Sequence, residues 1–67
     1  MKTYVDRIRE LREDHDYTQT EIAKILNCKQ ATYSRYESNK REIPIDVVIK
    51  LCKFYGVSAD WLLGLQS

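Results

Sequence analysis

Glycine and proline are scarce in this sequence, whose 67 residues include two glycines and one proline. Proteins built from many short strands need turn residues at regular intervals, so this scarcity argues against a turn-rich β fold. Hydrophobic residues make up 43% of the chain and charged residues 31%, which is typical of a globular domain and not of a disordered segment. The length predicts a single small domain over residues 1–67.

Cysteine and histidine are also rare. The two cysteines, Cys28 and Cys52, are far apart and outside any Cys-x-x-Cys pattern, and a small disulfide-stapled secreted domain needs more of them. We therefore interpret both as free thiols that pack as small hydrophobes, without a metal or redox role. The single histidine, His15, has no second histidine to share a metal and no evident nucleophile beside it. The sequence therefore predicts neither an enzyme nor a bound cofactor.

Long apolar runs and a strong net charge are absent as well. No apolar stretch approaches the ~18 residues of a membrane span, and no signal-peptide core is present, so we expect a cytoplasmic protein without a membrane partner. The net charge is +1, whereas nucleic-acid-binding domains are often strongly basic. Any case for nucleic-acid binding must therefore come from where the charges lie and not from their sum.

Helical periodicity is the dominant positive signal. Apolar residues recur at three- and four-residue spacing through most of the chain, which predicts an all-α fold of five short helices. Helix one is expected from about Thr3 to about Asp14, and helix three from Gln30 to about Ser38. Pro44 suits the first turn of helix four, and Gly56 ends it. A last short helix is expected within Ser58–Leu63, with its cap at the serine.

Capping signals support these boundaries. Thr18 and Glu21 form a Thr-x-x-Glu capping box at the start of helix two, and Thr3 with Asp6 resembles a capping pair for helix one. The predicted inward faces of helices two, three and four are Ile22, Ala23 and Leu26; Tyr33, Tyr36 and Glu37; and Val48, Leu51, Cys52 and Tyr55.

Two short helices joined by a tight turn indicate a helix-turn-helix. The segment YTQTEIAKILNCKQATYSRYESNKREIP, residues 17–44, resembles the Cro/C1-type helix-turn-helix family of transcriptional regulators, also called the XRE family. The resemblance includes RIRELRED in front and LCKFYGVSADWLLG behind, so it covers nearly the whole chain. It implies a compact five-helix bundle of the lambda-repressor type, with helices two and three as the helix-turn-helix.

The same resemblance implies sequence-specific binding to double-stranded DNA, with helix three in the major groove of an operator that the protein represses. Gln30 can pair with adenine, and Arg35 with guanine, through two hydrogen bonds each. The expected base contacts are Gln30, Ala31, Thr32, Ser34 and Arg35. The expected phosphate contacts are Gln19, Lys29, Asn39, Lys40 and Arg41. By spacing alone, these side chains could be ordinary solvated surface.

Arg12 and Glu37 match a buried ion pair that ties helix one to helix three in this family. Read from the residues alone, they could also be two separate surface charges. Their positions on or beside an apolar stripe favour the pair, and removing one partner would then leave an uncompensated charge partly buried.

Several positions depart from the family pattern. Asp16, Asn27 and Asn39 stand where the family often has glycine, and all three tolerate a positive φ angle. Lys29 stands where a serine or threonine cap is usual. Asn27-x-x-Gln30 could serve as an alternative capping box, which would draw the Gln30 side chain back to the backbone.

A surplus of apolar residues outside the predicted core stripe indicates a homodimer on a palindromic operator, formed through helices four and five. The residues expected in its interface are Val47, Phe54, Trp61 and Leu65. Trp61 could instead simply cover the end of the core. A second hypothesis is a protein-interaction module of the same fold, such as an antitoxin with a toxin partner or the target of an anti-repressor. The polar face of helix three favours DNA binding, because a pure interaction domain would not need it.

Overall fold

The computed structural model describes residues 4–65, and these form five α-helices, which confirms the predicted all-α fold. Helix α2 packs on α3, α1 packs on both α3 and α5, and α4 packs on α5. No helix among the described residues combines the length and the apolar composition that crossing a lipid bilayer requires. The helices are α1 (Tyr4–Asp14), α2 (Gln19–Ile25), α3 (Gln30–Glu37), α4 (Ile45–Tyr55) and α5 (Ala59–Leu63).

The helix starts divide into capped and uncapped ones. At α2 the backbone N–H of Thr18 donates to Glu21 Oε1 (2.9 Å), and the Glu21 N–H donates to Thr18 Oγ1 (3.1 Å). This confirms the predicted capping box. Ser58 caps α5, as predicted, by accepting a hydrogen bond from the Trp61 N–H at 3.1 Å. Thr3, the predicted cap of α1, lies outside the described residues.

The start of α3 is uncapped by any side chain. Lys29 occupies the N-cap position with extended backbone angles and makes no capping hydrogen bond through its side chain. The alternative box from Asn27 to Gln30 is wrong, because Gln30 Nε2 donates to Gln19 Oε1 at 2.7 Å. Packing of α3 against the rest of the domain must therefore supply the stability that a cap would have added.

The predicted left-handed positions are confirmed. The φ angles of Asp16, Asn27 and Asn39 are 58°, 58° and 60°. Asn and Asp adopt this region at a lower cost than other non-glycine residues, which explains how the chain turns sharply after α1, α2 and α3. Gly56 ends α4 in the same region, with φ at 70°.

Helix α4 differs from the prediction at its first residues. Pro44 lies at the N-cap and not in the first turn, because its ψ angle of 151° is extended. Its carbonyl oxygen accepts a hydrogen bond from the Val48 N–H at 3.1 Å. Val47, predicted in the dimer interface, is 8% exposed and belongs to the core. That prediction is wrong because Val47 precedes Leu51 by one helical turn and so shares its buried face.

A single core joins all five helices. Its largest fully buried side chains come one from each helix: Ile8, Ile22, Tyr33, Leu51 and Leu62. Burying each side chain of this size contributes roughly 1.5–3 kcal/mol. The core thereby holds α2 and α3 at one fixed angle, and the polar face of α3 is presented on a rigid support.

Candidate nucleic-acid interface

Helix α3 separates its residues sharply into a buried and a solvent-facing side. Tyr33, Tyr36 and Glu37 are buried, as their predicted inward stripe requires. On the opposite side Gln30, Ala31 and Arg35 are exposed, whereas Thr32 and Ser34 are half-buried. The five predicted base-contacting residues therefore lie on the part of α3 that remains accessible or at its edge.

Cationic and amide side chains flank this face at both ends of α3. Lys29 precedes the helix, and Asn39, Lys40 and Arg41 follow it, and all four are exposed. The turn after α3 is ordered by backbone hydrogen bonds, including Lys40 N–H to the Arg35 carbonyl oxygen at 3.0 Å. These positions form an electropositive border around a neutral and polar helix face, although the whole chain carries a net charge of only +1.

Arg12 and Glu37 form a bidentate ion pair between α1 and α3. Arg12 Nε donates to Glu37 Oε2 at 2.7 Å, and Arg12 Nη2 donates to Oε1 at 3.0 Å. The side chain of Arg12 is 15% exposed and that of Glu37 is 4% exposed. Arg12 Nη1 also donates to the Tyr17 carbonyl oxygen at 2.9 Å, so the guanidinium ties both α3 and the segment before α2 to α1.

The pKa values of this pair both move towards the charged forms. The hydrogen bond to Glu37 raises the pKa of Arg12, against a smaller opposing effect of burial. Burial alone would raise the pKa of Glu37, but the hydrogen bonds that its carboxylate accepts, including those from Arg12 and Gln19, together lower it. Glu37 is therefore an ionised carboxylate inside the domain, and it acts only as a hydrogen-bond acceptor.

Gln19 connects this ion pair to the exposed face of α3. Its Nε2 donates to Glu37 Oε1 at 3.1 Å, and its Oε1 accepts from Gln30 Nε2 at 2.7 Å. The sequence predicts separate roles for Gln19 and Gln30 at the DNA and gives no sign of the bond between them. No spacing rule could have found it, because the two residues belong to different helices and meet only through the packing of α2 on α3.

A shallow surface cavity of about 210 Å³ opens beside the ion pair, between α1, α3 and the start of α2. It is lined by Arg9, Arg12, Gln19, Ser34, Glu37 and Ser38. Arg9 donates from Nη1 to the Glu37 carbonyl oxygen at 3.3 Å and from Nη2 to Asp6 Oδ1 at 2.6 Å. Arg9 and Ser38 were not among the predicted site residues, because neither stands out by type or spacing in the sequence.

Three of the four predicted interface residues are exposed. Phe54 and Trp61 expose 38% and 37% of their surface, and Leu65 exposes 71%. Phe54 packs its ring 5.4 Å from that of Tyr17, and Trp61 lies beneath the Arg7 guanidinium at 4.9 Å. Two further apolar residues on α4, Ile45 and Ile49, are exposed and were not among the predicted interface residues.

The family model described as helix-turn-helix matches residues 8–62 of this chain, which include α2, α3 and most of the core. The chain belongs to this helix-turn-helix family. The resemblance to Cro/C1-type regulators is thereby confirmed. The match begins at Ile8 and ends at Leu62, so it contains the Arg12–Glu37 pair and the exposed face of α3.

Known helix-turn-helix proteins resemble this chain in sequence and in fold. It is 41% identical over 58 residues to the HTH-type transcriptional regulator ImmR of Bacillus subtilis, covering 87% of this chain and 46% of ImmR. The chain spans about half the length of the curated relatives it matches.

Two crystal structures share its architecture. A transcriptional regulator from Listeria innocua superposes with a TM-score of 0.89 at 25% identity, over 97% of this chain and 61% of that one. The P22 c2 repressor, determined in complex with a synthetic operator, superposes with a TM-score of 0.83 at 24% identity, over 94% of this chain and 96% of that one.

Proposed function

We propose that this helix-turn-helix protein is a sequence-specific regulator of transcription, acting as a repressor, that places α3 in the major groove of double-stranded DNA. One observation carries the proposal. The buried side of α3 leaves Gln30, Ala31 and Arg35 exposed on a helix that is rigidly supported from behind by Tyr33 and Tyr36. A major groove is about 12 Å wide and accepts an α-helix presented in this way.

The chemistry of the exposed face suits base edges. Arg35 has a planar guanidinium that matches the two acceptors of guanine, and Gln30 has an amide that matches the donor and acceptor of adenine. Ala31 and Thr32 offer methyl groups for contact with a thymine methyl, and the Ser34 hydroxyl can bond to either kind of base edge. Specificity therefore belongs to α3 in this proposal.

Affinity for DNA is proposed to come from the residues around α3. Lys29, Asn39, Lys40 and Arg41 are exposed at the two ends of α3, and Gln19 stands at the N-terminal turn of α2, where the helix dipole favours an anion. These residues are proposed to contact phosphates. Contacts of this kind position a protein on DNA without reading its sequence.

A homodimer on a palindromic operator completes the proposal. Phe54, Trp61 and Leu65 remain exposed near the C-terminal end of the described chain and provide apolar surface for a two-fold contact. Half-sites for such a dimer lie about one helical turn apart, roughly 34 Å. Cys28 and Cys52 are free thiols, which suits the reducing cytoplasm in which a regulator meets its operator.

The test is a competition assay of selected variants on the best operator from a random-sequence pool and on scrambled DNA, across a salt series. Arg35→Ala should cost about 1–3 kcal/mol on the operator and relax the preference at one base pair per half-site. Lys40→Ala should weaken both DNAs nearly equally and lower the salt slope by about one.

If Arg35→Ala weakens both DNAs by the same factor, the base-reading role is wrong and Arg35 contacts only phosphate. A wild-type protein without preference for any sequence would overturn the proposal. The competing hypothesis, a module that binds a toxin or an anti-repressor, would then replace it.

A further inference from the structure

A continuous series of hydrogen bonds runs from the buried ion pair to the exposed face of α3. The Arg12 guanidinium donates to the Glu37 carboxylate at 2.7 and 3.0 Å. Gln19 Nε2 donates to the same carboxylate at 3.1 Å, and Gln30 Nε2 donates to Gln19 Oε1 at 2.7 Å. Nothing in the proposed function uses Glu37 except as a structural partner of Arg12.

The direction of this series is decided by its buried end. A guanidinium can only donate hydrogen bonds, and an ionised carboxylate can only accept them. Gln19 must therefore turn its NH₂ group to Glu37, which leaves its Oε1 as the atom that faces Gln30. Gln30 must in turn offer its own NH₂ group. A reversed Gln30 amide would place two acceptor oxygens in contact at the distance of a hydrogen bond.

We propose that Glu37 is a positioning residue for base recognition: its carboxylate, acting through Gln19, holds the Gln30 amide in one orientation and thereby selects adenine over guanine. This inference rests on the proposed function, because it assumes that Gln30 faces a base edge. It assigns to Glu37 a role in specificity in addition to its role in joining α1 to α3.

The selection follows from what Gln30 has left to offer. One of its two N–H groups is engaged by Gln19, so one N–H and the Oε1 acceptor remain. Adenine presents an acceptor at N7 and a donor at N6, which match this pair, whereas guanine presents two acceptors at N7 and O6. A Gln30 amide turned the other way would present both N–H groups to the base and would suit guanine.

Three variants test the direction of the series. Glu37→Gln keeps the shape of the side chain but can both donate and accept, so either orientation of Gln19 becomes accessible. Gln19→Arg keeps both residues of the Arg12–Glu37 pair and puts a donor-only group against Gln30, which should draw Gln30 Oε1 inwards and free both N–H groups. Thr20→Arg adds the same charge at the next residue of α2, which is exposed, and serves as the matched control.

The measurement is the relative affinity for operators that carry adenine or guanine at the position Gln30 faces. For wild type we expect a preference for adenine on the order of ten-fold. It should fall to near unity in Glu37→Gln and reverse in Gln19→Arg, while Thr20→Arg keeps the wild-type ratio. If Glu37→Gln does not fold, judged by its circular dichroism, the decision rests on Gln19→Arg. A preference for adenine that survives in folded Glu37→Gln, or in Gln19→Arg if Glu37→Gln does not fold, overturns the role of Glu37.

A second measurement needs no DNA. In the ¹⁵N-labelled wild-type protein, one side-chain amide proton of Gln30 should exchange slowly with water, because it is bonded to Gln19. It should exchange as fast as that of a solvated glutamine in Gln19→Arg and remain slow in Thr20→Arg. If this amide proton exchanges slowly but the wild-type protein prefers no DNA sequence, the hydrogen-bond series stands and the proposed function is wrong. An amide proton that already exchanges fast in wild type would overturn the hydrogen-bond series itself.

Discussion

The first turn of α2 is closed by residues of its own segment, whereas the first turn of α3 has no side-chain cap. At α2, Thr18 and Glu21 satisfy each other's backbone N–H groups within four residues of chain. At α3, Lys29 contributes no such bond, and the helix is instead tied to its neighbours by Tyr33, which is fully buried, and by Glu37. One helix is thus specified locally and the other by tertiary packing, although they share one motif.

The largest effect on stability should come from breaking the Arg12–Glu37 ion pair that joins α3 to α1. Glu37→Ala leaves the half-buried Arg12 guanidinium without its carboxylate and should destabilise the domain by about 3–5 kcal/mol. A domain of 67 residues has a total stability on the order of 5 kcal/mol, so the variant should retain about 2 kcal/mol or less. Urea titration followed by circular dichroism measures the loss.

The matched control is Glu42→Ala, which removes an exposed carboxylate from the loop after α3. It should change the free energy of unfolding by no more than about 0.5 kcal/mol. Equal losses in the two variants would mean that the ion pair contributes no more than a surface charge, and α3 would then depend on its apolar contacts alone.

Glu37 and Glu21 should both make the stability of the domain depend on pH. The pKa of Glu37 is lowered in the folded protein, and so is that of the exposed Glu21, through its hydrogen bonds with Thr18. A glutamate has a pKa of about 4.3 in the unfolded chain. Below that value the unfolded state binds more protons than the folded one, so stability should be complete above it and fall as the pH drops through the lowered pKa.

We expect Glu37→Gln to remove more of this pH dependence than Glu21→Gln, because Glu37 is buried and Glu21 is exposed. Urea midpoints of wild type and both variants between about pH 5 and pH 2 measure the difference. If Glu21→Gln removes more of the pH dependence of the urea midpoint than Glu37→Gln does, then Glu37 is not the more acid-sensitive of the two carboxylates.

A smaller effect is expected at the local cap. Thr18→Ala should cost about 1 kcal/mol, since it removes the side-chain acceptor of the α2 capping box. Thr20→Ala, at an exposed position inside the same helix, should be neutral or stabilise slightly, because alanine has the higher helix propensity by a few tenths of a kcal/mol. Thermal unfolding of both variants compares their stabilities. Equal losses of stability would mean that the α2 capping box contributes nothing.

The smallest effect of this series, a gain in stability, is expected at the uncapped start of α3. Lys29 already has the extended backbone of an N-cap, with φ −78° and ψ 149°. Lys29→Ser should therefore stabilise the domain by about 0.5–1 kcal/mol, and it should also weaken DNA binding if Lys29 contacts phosphate. Lys24→Ser, inside α2, should lose a few tenths of a kcal/mol. A loss of stability in Lys29→Ser would show that the lysine has another structural role.

Much of the secondary structure was predictable because its determinants are close together in the chain. The box at Thr18 and Glu21, the serine cap of α5 and the left-handed Asp16, Asn27 and Asn39 each depend on a few consecutive residues. Backbone conformational preferences and short side-chain hydrogen bonds are properties of such segments, whatever surrounds them. The pairing of Arg12 with Glu37 was indicated by the resemblance to a known family and by the positions of both residues on or beside an apolar stripe.

The sequence by itself determined those helix ends that a local cap or a turn residue sets, and it determined which face of α3 is polar, since these follow from local hydrogen bonds and helical periodicity. Only the tertiary structure decided that Arg9 reaches the edge of the ion pair and that Gln19 bonds to Gln30. Those contacts join separate helices, and their existence depends on the angle and distance at which the shared core packs them together. A one-dimensional pattern records periodicity but not that angle, so the orientation of the side chains on α3 could come only from the packed fold.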